Sequence, residues 1–223
     1  MKKTLVATTA LGLLALSATS MTALADSQES QLTGVTNKTD VTFTPGSGED
    51  VDPIVPDDTH DDDPSTGDTG SLSIPFASNI TFGQHEVSQG DETYFALNQK
   101  PHVQVNDTRG GAKGWSLGVT LKPFVGENGN ELTGAKMTLS NGKVVTKNNK
   151  SPMPKMADTS FELNEQYQDL MLAKEGQGAG GFAAVFEGED GNNQNVKLYV
   201  PRAGVEAQAY TADLTWVLTD APA

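Results

Sequence analysis

A two-residue alternation of apolar and polar side chains constrains this chain more than any other feature. In Trp115 to Lys122, Trp115, Leu117, Val119 and Leu121 fall on one side, and Ser116, Gly118, Thr120 and Lys122 on the other. Near the end, Tyr210, Ala212, Leu214, Trp216 and Leu218 stand opposite Thr211, Asp213, Thr215, Val217 and Thr219. A helix would scatter these sets, whereas a pleated strand gathers each on one face. Further strands are expected at Leu72–Pro75, Tyr94–Asn98, His102–Asn106, Lys136–Ser140, Lys143–Lys147, Phe161–Leu163, Phe182–Glu187 and Val196–Val200. Asp40 to Thr44 alternates in the same way up to Pro45-Gly46 and reads as one more short strand. Asn141-Gly142 and Glu189 to Asn193 are turn sequences that predict hairpins. Leu163 to Lys174 is ambiguous: Leu163, Tyr167, Leu170 and Met171 fit a helix face, while Leu170 and Leu172 fit a strand. Many short strands at this spacing predict an all-β chain, a single Greek-key-like β-sandwich.

The domain is expected to span residues 39–223. Residues 1–25 read as a signal peptide: Lys2 and Lys3 precede an apolar run, and Ala23-Leu24-Ala25 offers a cleavage site between Ala25 and Asp26. The apolar run is short for a membrane span, and no later segment is long enough to be one. Residues 26–38 are polar and expected to be mobile. Residues 26–70 carry twelve carboxylates against the single base Lys38. Within them residues 47–70 form an Asp/Pro/Gly-rich tract, expected to be a disordered or extended loop because it has little apolar surface to offset ordering entropy. The absence of cysteine rules out disulfides, thiol catalysis and a lipid anchor on an N-terminal cysteine. No apolar sorting tail is expected at the C-terminus, so a protein that stays on the cell must be held there by non-covalent contacts.

Trp115-Ser116-Leu117 follows an Asp107-x-Arg109-Gly110 segment, and Trp216-Val217-Leu218 lies near the chain end. Leu72-Ser73-Ile74, Phe82-Gly83, Gly134-Ala135, Gly178 to Gly181 and Val200-Pro201 accompany them in order. Together these segments resemble the WxL domain family of Gram-positive surface proteins over most of residues 40–222. The resemblance implies a secreted, wall-associated β-sandwich without catalysis, attached non-covalently to peptidoglycan or an associated wall polymer. It also allows adhesion or an interaction with another surface protein. Trp115, Leu117, Trp216 and Leu218 are the residues that match the family motif.

Two roles for those tryptophans stay open. The alternation turns both rings toward the apolar face, where a buried indole builds the core; a ring that grips sugar needs an exposed face. If the rings are core, contact lies elsewhere. Residues 135–157 hold Lys136, Lys143, Lys147, Lys150 and Lys155 with no acid, a candidate patch for an anionic wall component. An ordinary solvated hairpin is the alternative. Asp107 and Arg109 read as a turn cap or as a polar contact beside Trp115.

Several chemistries are excluded. Gly114-Trp115-Ser116-Leu117-Gly118 matches a nucleophile elbow, but the residues after Ser116 alternate as a strand and all three histidines precede it. His85 and His102 have no metal-ligand motif around them, so no metal and no cofactor is expected. The aspartates at 57, 58 and 61–63 lack the spacing of a calcium loop. Gly176 to Gly181 leads into a strand, so it is no phosphate cradle. No basic stripe crosses a chain of net charge −14, so nucleic-acid binding is not expected. A wall-binding module is the first functional expectation, and a subunit that binds a co-secreted surface protein is the second.

Overall fold

A computed structural model describes residues 36–56, 60 and 64–221. The expected signal peptide with Ala25 and Asp26, and the aspartates at 57, 58 and 61–63, lie outside the described residues. The main body of the fold begins at Thr42. The strands of the body are β1 (Leu72–Ala77), β2 (Glu92–Ala96), β3 (His102–Asp107), β4 (Trp115–Leu121), β5 (Val125–Gly126), β6 (Lys136–Ser140) and β7 (Lys143–Val145), then β8 (Lys155–Met156), β9 (Ser160–Glu162), β10 (Gln168–Ala173), β11 (Gly180–Val185), β12 (Asn193–Val200), β13 (Tyr210–Thr211) and β14 (Leu214–Thr219). No helix occurs among the described residues. The all-β sandwich expectation holds.

The sheets run β1-β3-β11-β7, β14-β4-β10-β8, β2-β12-β6-β9 and β13-β5, and every ladder is antiparallel. Among the described residues, no two strands consecutive in sequence pair with each other. Both predicted hairpins are therefore corrected. Asn141, at φ 54°, does make a turn, but β6 stays in one sheet while β7 joins another. The turn at Glu189 to Asn192 likewise sends β11 and β12 to different sheets. There the buried Asn193 amide donates to the carbonyls of Asn98 and Phe186, satisfying backbone groups that a hairpin ladder would have paired.

One core cluster draws on three sheets: Val105 and Phe182, Trp115 and Leu117, and Leu139 and Val196 are all buried in it. The ambiguous stretch resolves as β10. A register shift between Asp169 and Met171 lets the adjacent residues Leu170 and Met171 both lie buried, which is why its sequence mixes two periodicities. Tyr210 to Leu218 keeps its alternation but divides into β13 and β14 around Ala212-Asp213.

Asp40–Thr44 does not pair as a strand. Among the described residues it joins no ladder, and Val41 is 73% and Phe43 87% exposed. The described parts of the acidic tract are pinned against strands β1, β3 and β11. Gln104 donates to the Asp52 carbonyl and accepts from the Ile54 amide, while Val55 buries against Ala183 and Val185. Further along, Ser65 bridges Phe76, and the Asp68 carboxylate accepts from the Ile74 amide. A few apolar groups and satisfied backbone bonds fix the segment despite its polar composition.

Candidate functional site

The two Trp-x-Leu segments lie on neighbouring antiparallel strands. β14 pairs with β4 so that Leu218 faces Leu117, Val217 faces Gly118 and Trp216 faces Val119. Alternation then sends Trp115, Leu117, Trp216 and Leu218 toward the core side, and Ser116 and Val217 outward. Ser116 is thus a mid-strand residue, and no strand-to-helix elbow forms around it.

The two tryptophans occupy different environments. Trp115 is fully buried, and its indole N–H donates to the Gly178 carbonyl at 3.0 Å. Gly178, at φ +76°, lies so close to the ring that a Cβ there would sit 2.6 Å from the indole nitrogen. The glycine-rich approach to β11 thus allows backbone to close over the indole. Trp216 is half-buried: it packs against the core on one side and borders an open groove on the other. The core expectation therefore fits Trp115 fully and Trp216 in part.

That groove has a volume of about 1510 Å³ and runs between residues 77–87, the inner side of the β2-β12-β6 sheet and residues 205–216. Leu198, Met137 and Leu132 continue the core along its floor. Rings border it: Phe82, His85, Tyr94, Phe124, Tyr210 and Trp216. His85 stacks on Tyr94 with centroids 4.1 Å apart. Among the charged lining residues are Glu86, Glu206 and Asp213, with no lysine or arginine. Asp213 is paired with Lys122 at 2.9 Å, and its carboxylate holds the lysine above its ordinary pKa. Glu206 accepts from the Asn128 amide. No local sequence signal marks this groove, because its rings come from segments with no shared period.

Asp107 and Arg109 act as a clasp. The Asp107 carboxylate is buried and accepts from Arg109 Nε at 2.9 Å and Nη2 at 2.8 Å. Arg109 also donates to the Gly114 carbonyl, just before Trp115, and to Asp220, just beyond the second motif. The hydrogen bond to Asp107, against the opposing effect of burial, raises the guanidinium pKa above its ordinary value. One arginine therefore ties the start of the first motif strand to the end of the second. His102 is bonded through Nδ1 to Ser78 and the Lys100 carbonyl.

The chain matches, over residues 29–222, the family described as WxL domain, surface cell wall-binding. It belongs to the WxL family. No curated protein and no solved structure matches it. A WxL domain is a cell-surface, wall-binding unit, and its identifying residues here form one interlocked pair of strands. No helix among the described residues is long and apolar enough to cross a membrane.

The lysines expected to form one patch divide between two places in this WxL domain. Lys136 lies on β6 and is paired with Glu162 of β9 at 3.0 Å. Lys143 on β7, Lys155 on β8, and Lys147 and Lys150 in the segment joining them are exposed, without ion-pair partners among the described residues. Strand pairing separates Lys136 from the other four, which sequence proximity could not reveal.

Proposed function

We propose that this WxL domain attaches its chain to the cell wall by binding peptidoglycan non-covalently, without catalysis. The carrying observation is the asymmetry of the two motifs. Trp115 is sealed in the core, whereas Trp216 presents part of its ring to an aromatic-bordered groove. A concave site with an apolar floor and a few polar groups is the usual form of a ligand site. The first motif then builds the scaffold and the second shapes the contact. Lys143, Lys147, Lys150 and Lys155 add a basic edge that draws anionic wall polymers toward the domain. Incubation of the purified protein with purified sacculi, free of other proteins, tests the proposal: co-sedimentation supports it and its absence rejects it.

A second reading, an interaction subunit for another surface protein, is favoured by one observation. Val41 and Phe43 are exposed on a segment with strand-like alternation that joins no ladder among the described residues, a sequence pattern that suits a strand added to a partner's sheet. Co-purification of a surface protein that is lost in Phe43→Ser, with sacculus binding absent, would establish this reading instead.

A further inference from the structure

We infer that the groove beside Trp216 takes an uncharged glycan strand, and that it rejects both the acidic peptide stems and the phosphate polymers of the wall. The inference rests on the attachment proposed above and assigns its chemistry to one place in the fold.

Three observations converge. The first is ring content: Trp216, Tyr94 with His85 stacked on it, and Phe82 border a single concave surface. Pyranose rings carry patches of C–H groups that lie flat on aromatic faces, and aromatic rings join large contact area to low conformational entropy. The second is the polar lining. Gln84 and Glu86 are exposed, and their side chains hold no partner among the described residues. An amide and a carboxylate together accept and donate hydrogen bonds to sugar hydroxyl and acetamido groups. The third is charge. Glu86, Glu206 and Asp213 line the groove with no lysine or arginine among its walls; Asp213 is taken up by Lys122 at 2.9 Å, so a phosphate chain or a free carboxylate entering the groove would meet the uncompensated charge of Glu86 and Glu206. Lys143, Lys147, Lys150 and Lys155 stand on β7, β8 and the segment joining them, outside this lining. Anionic polymer and glycan are thereby assigned to different surfaces.

The probe is chitohexaose, an uncharged β-1,4-linked N-acetylglucosamine chain, titrated calorimetrically into the purified protein beside poly(glycerol phosphate) and a free stem pentapeptide. Saturable chitohexaose binding is expected, about tenfold weaker in Trp216→Ala and about threefold weaker in His85→Ala, since each tenfold corresponds to about 1.4 kcal/mol. His85 is exposed, so its truncation tests the groove even if Trp216→Ala fails to fold. Any poly(glycerol phosphate) binding is expected to be unaffected by either change. In Glu86→Lys, the groove is expected to gain affinity for poly(glycerol phosphate).

Absence of chitohexaose binding by a protein that still sediments with sacculi would overturn the groove assignment while leaving attachment intact. Failure to sediment while chitohexaose still binds would reject attachment and leave the groove assignment standing. Stem-peptide binding that disappears in His85→Ala, or self-association through the groove that does so, would also overturn the inference.

Discussion

Leu117 of β4 and Leu218 of β14 are direct cross-strand partners, so two motifs far apart in sequence meet at their leucines. Leu117 is fully buried, while Leu218 is half-buried and packs against the core from the sheet's outermost strand. Truncating Leu117 to Ala is expected to cost about 2–5 kcal/mol, from lost transfer energy and the cavity left behind. Leu218→Ala should cost less. A double-mutant cycle by denaturant unfolding should show coupling of about 0.5 kcal/mol or more; strictly additive losses would contradict the contact.

The tryptophans should separate stability from binding. Trp115→Phe removes the hydrogen bond to Gly178 and part of a close-packed volume, so a loss of about 2–4 kcal/mol is expected in chemical denaturation. Trp216→Phe keeps a ring at the groove edge and should leave melting nearly unchanged, while weakening retention on sacculi. Equal loss of stability in both variants would show that the second indole is core like the first.

Two glycines in contact with rings make opposite predictions. Gly178 combines φ +76° with a Cβ position 2.6 Å from both the Ala173 Cβ and the Trp115 indole nitrogen. Gly178→Ala should therefore cost several kcal/mol. At Gly118 the nearest atoms a Cβ would meet belong to Tyr167, 2.1 Å away, and that side chain is 46% exposed and can swing out. Gly118→Ala should be mild in a melting experiment and change the fluorescence of Tyr167.

The clasp between the motifs should be sensitive to its arginine. Arg109→Gln leaves the Asp107 carboxylate buried without its cation, at a cost of about 3–5 kcal/mol. Arg109→Lys keeps the charge but loses the planar fork that reaches Asp107 through two nitrogens, so it should fall between the two in urea unfolding.

Asp91 gives the pH prediction. Its carboxylate accepts from the Arg202 amide at 2.9 Å and the Tyr199 hydroxyl at 2.8 Å. The backbone bond first, and the hydroxyl second, lower its pKa below the ordinary 3.8. A depressed carboxylate stabilises the fold above that ordinary value, and the contribution is lost as pH falls through the folded-state value. Asp91→Asn should therefore melt slightly below the wild type near neutrality, with the gap closing in acid. A gap that widened in acid would contradict this assignment.

Because no two consecutive strands pair among the described residues, each of their ladders must close a loop before its contacts form. That predicts slow, strongly cooperative refolding for a chain of this size, measurable by stopped-flow fluorescence of Trp115.

The sequence by itself determined strand identity and facing. Alternation in Trp115 to Leu121 and Leu214 to Leu218 marked which side chains turn inward, because side-chain period is a local property of an extended backbone. The family was legible for a related reason, since its motif residues are the ones that build the scaffold. Partner choice was not legible. Asn141-Gly142 specifies a turn, but whether the next strand folds back or crosses to another sheet depends on groups such as Thr159 and Asn195, which bond Asn141 and are distant in sequence. The Asp52–Val55 clamp has no sequence signature, because two apolar side chains and one glutamine outweigh a polar composition only once the neighbouring strands β3 and β11 are assembled beneath them. The groove was the least legible feature. Its rings come from four separate segments, so only tertiary packing decided that Trp115 would be sealed beneath Gly178 while Trp216, the same residue type in the same motif, would keep a face in the open.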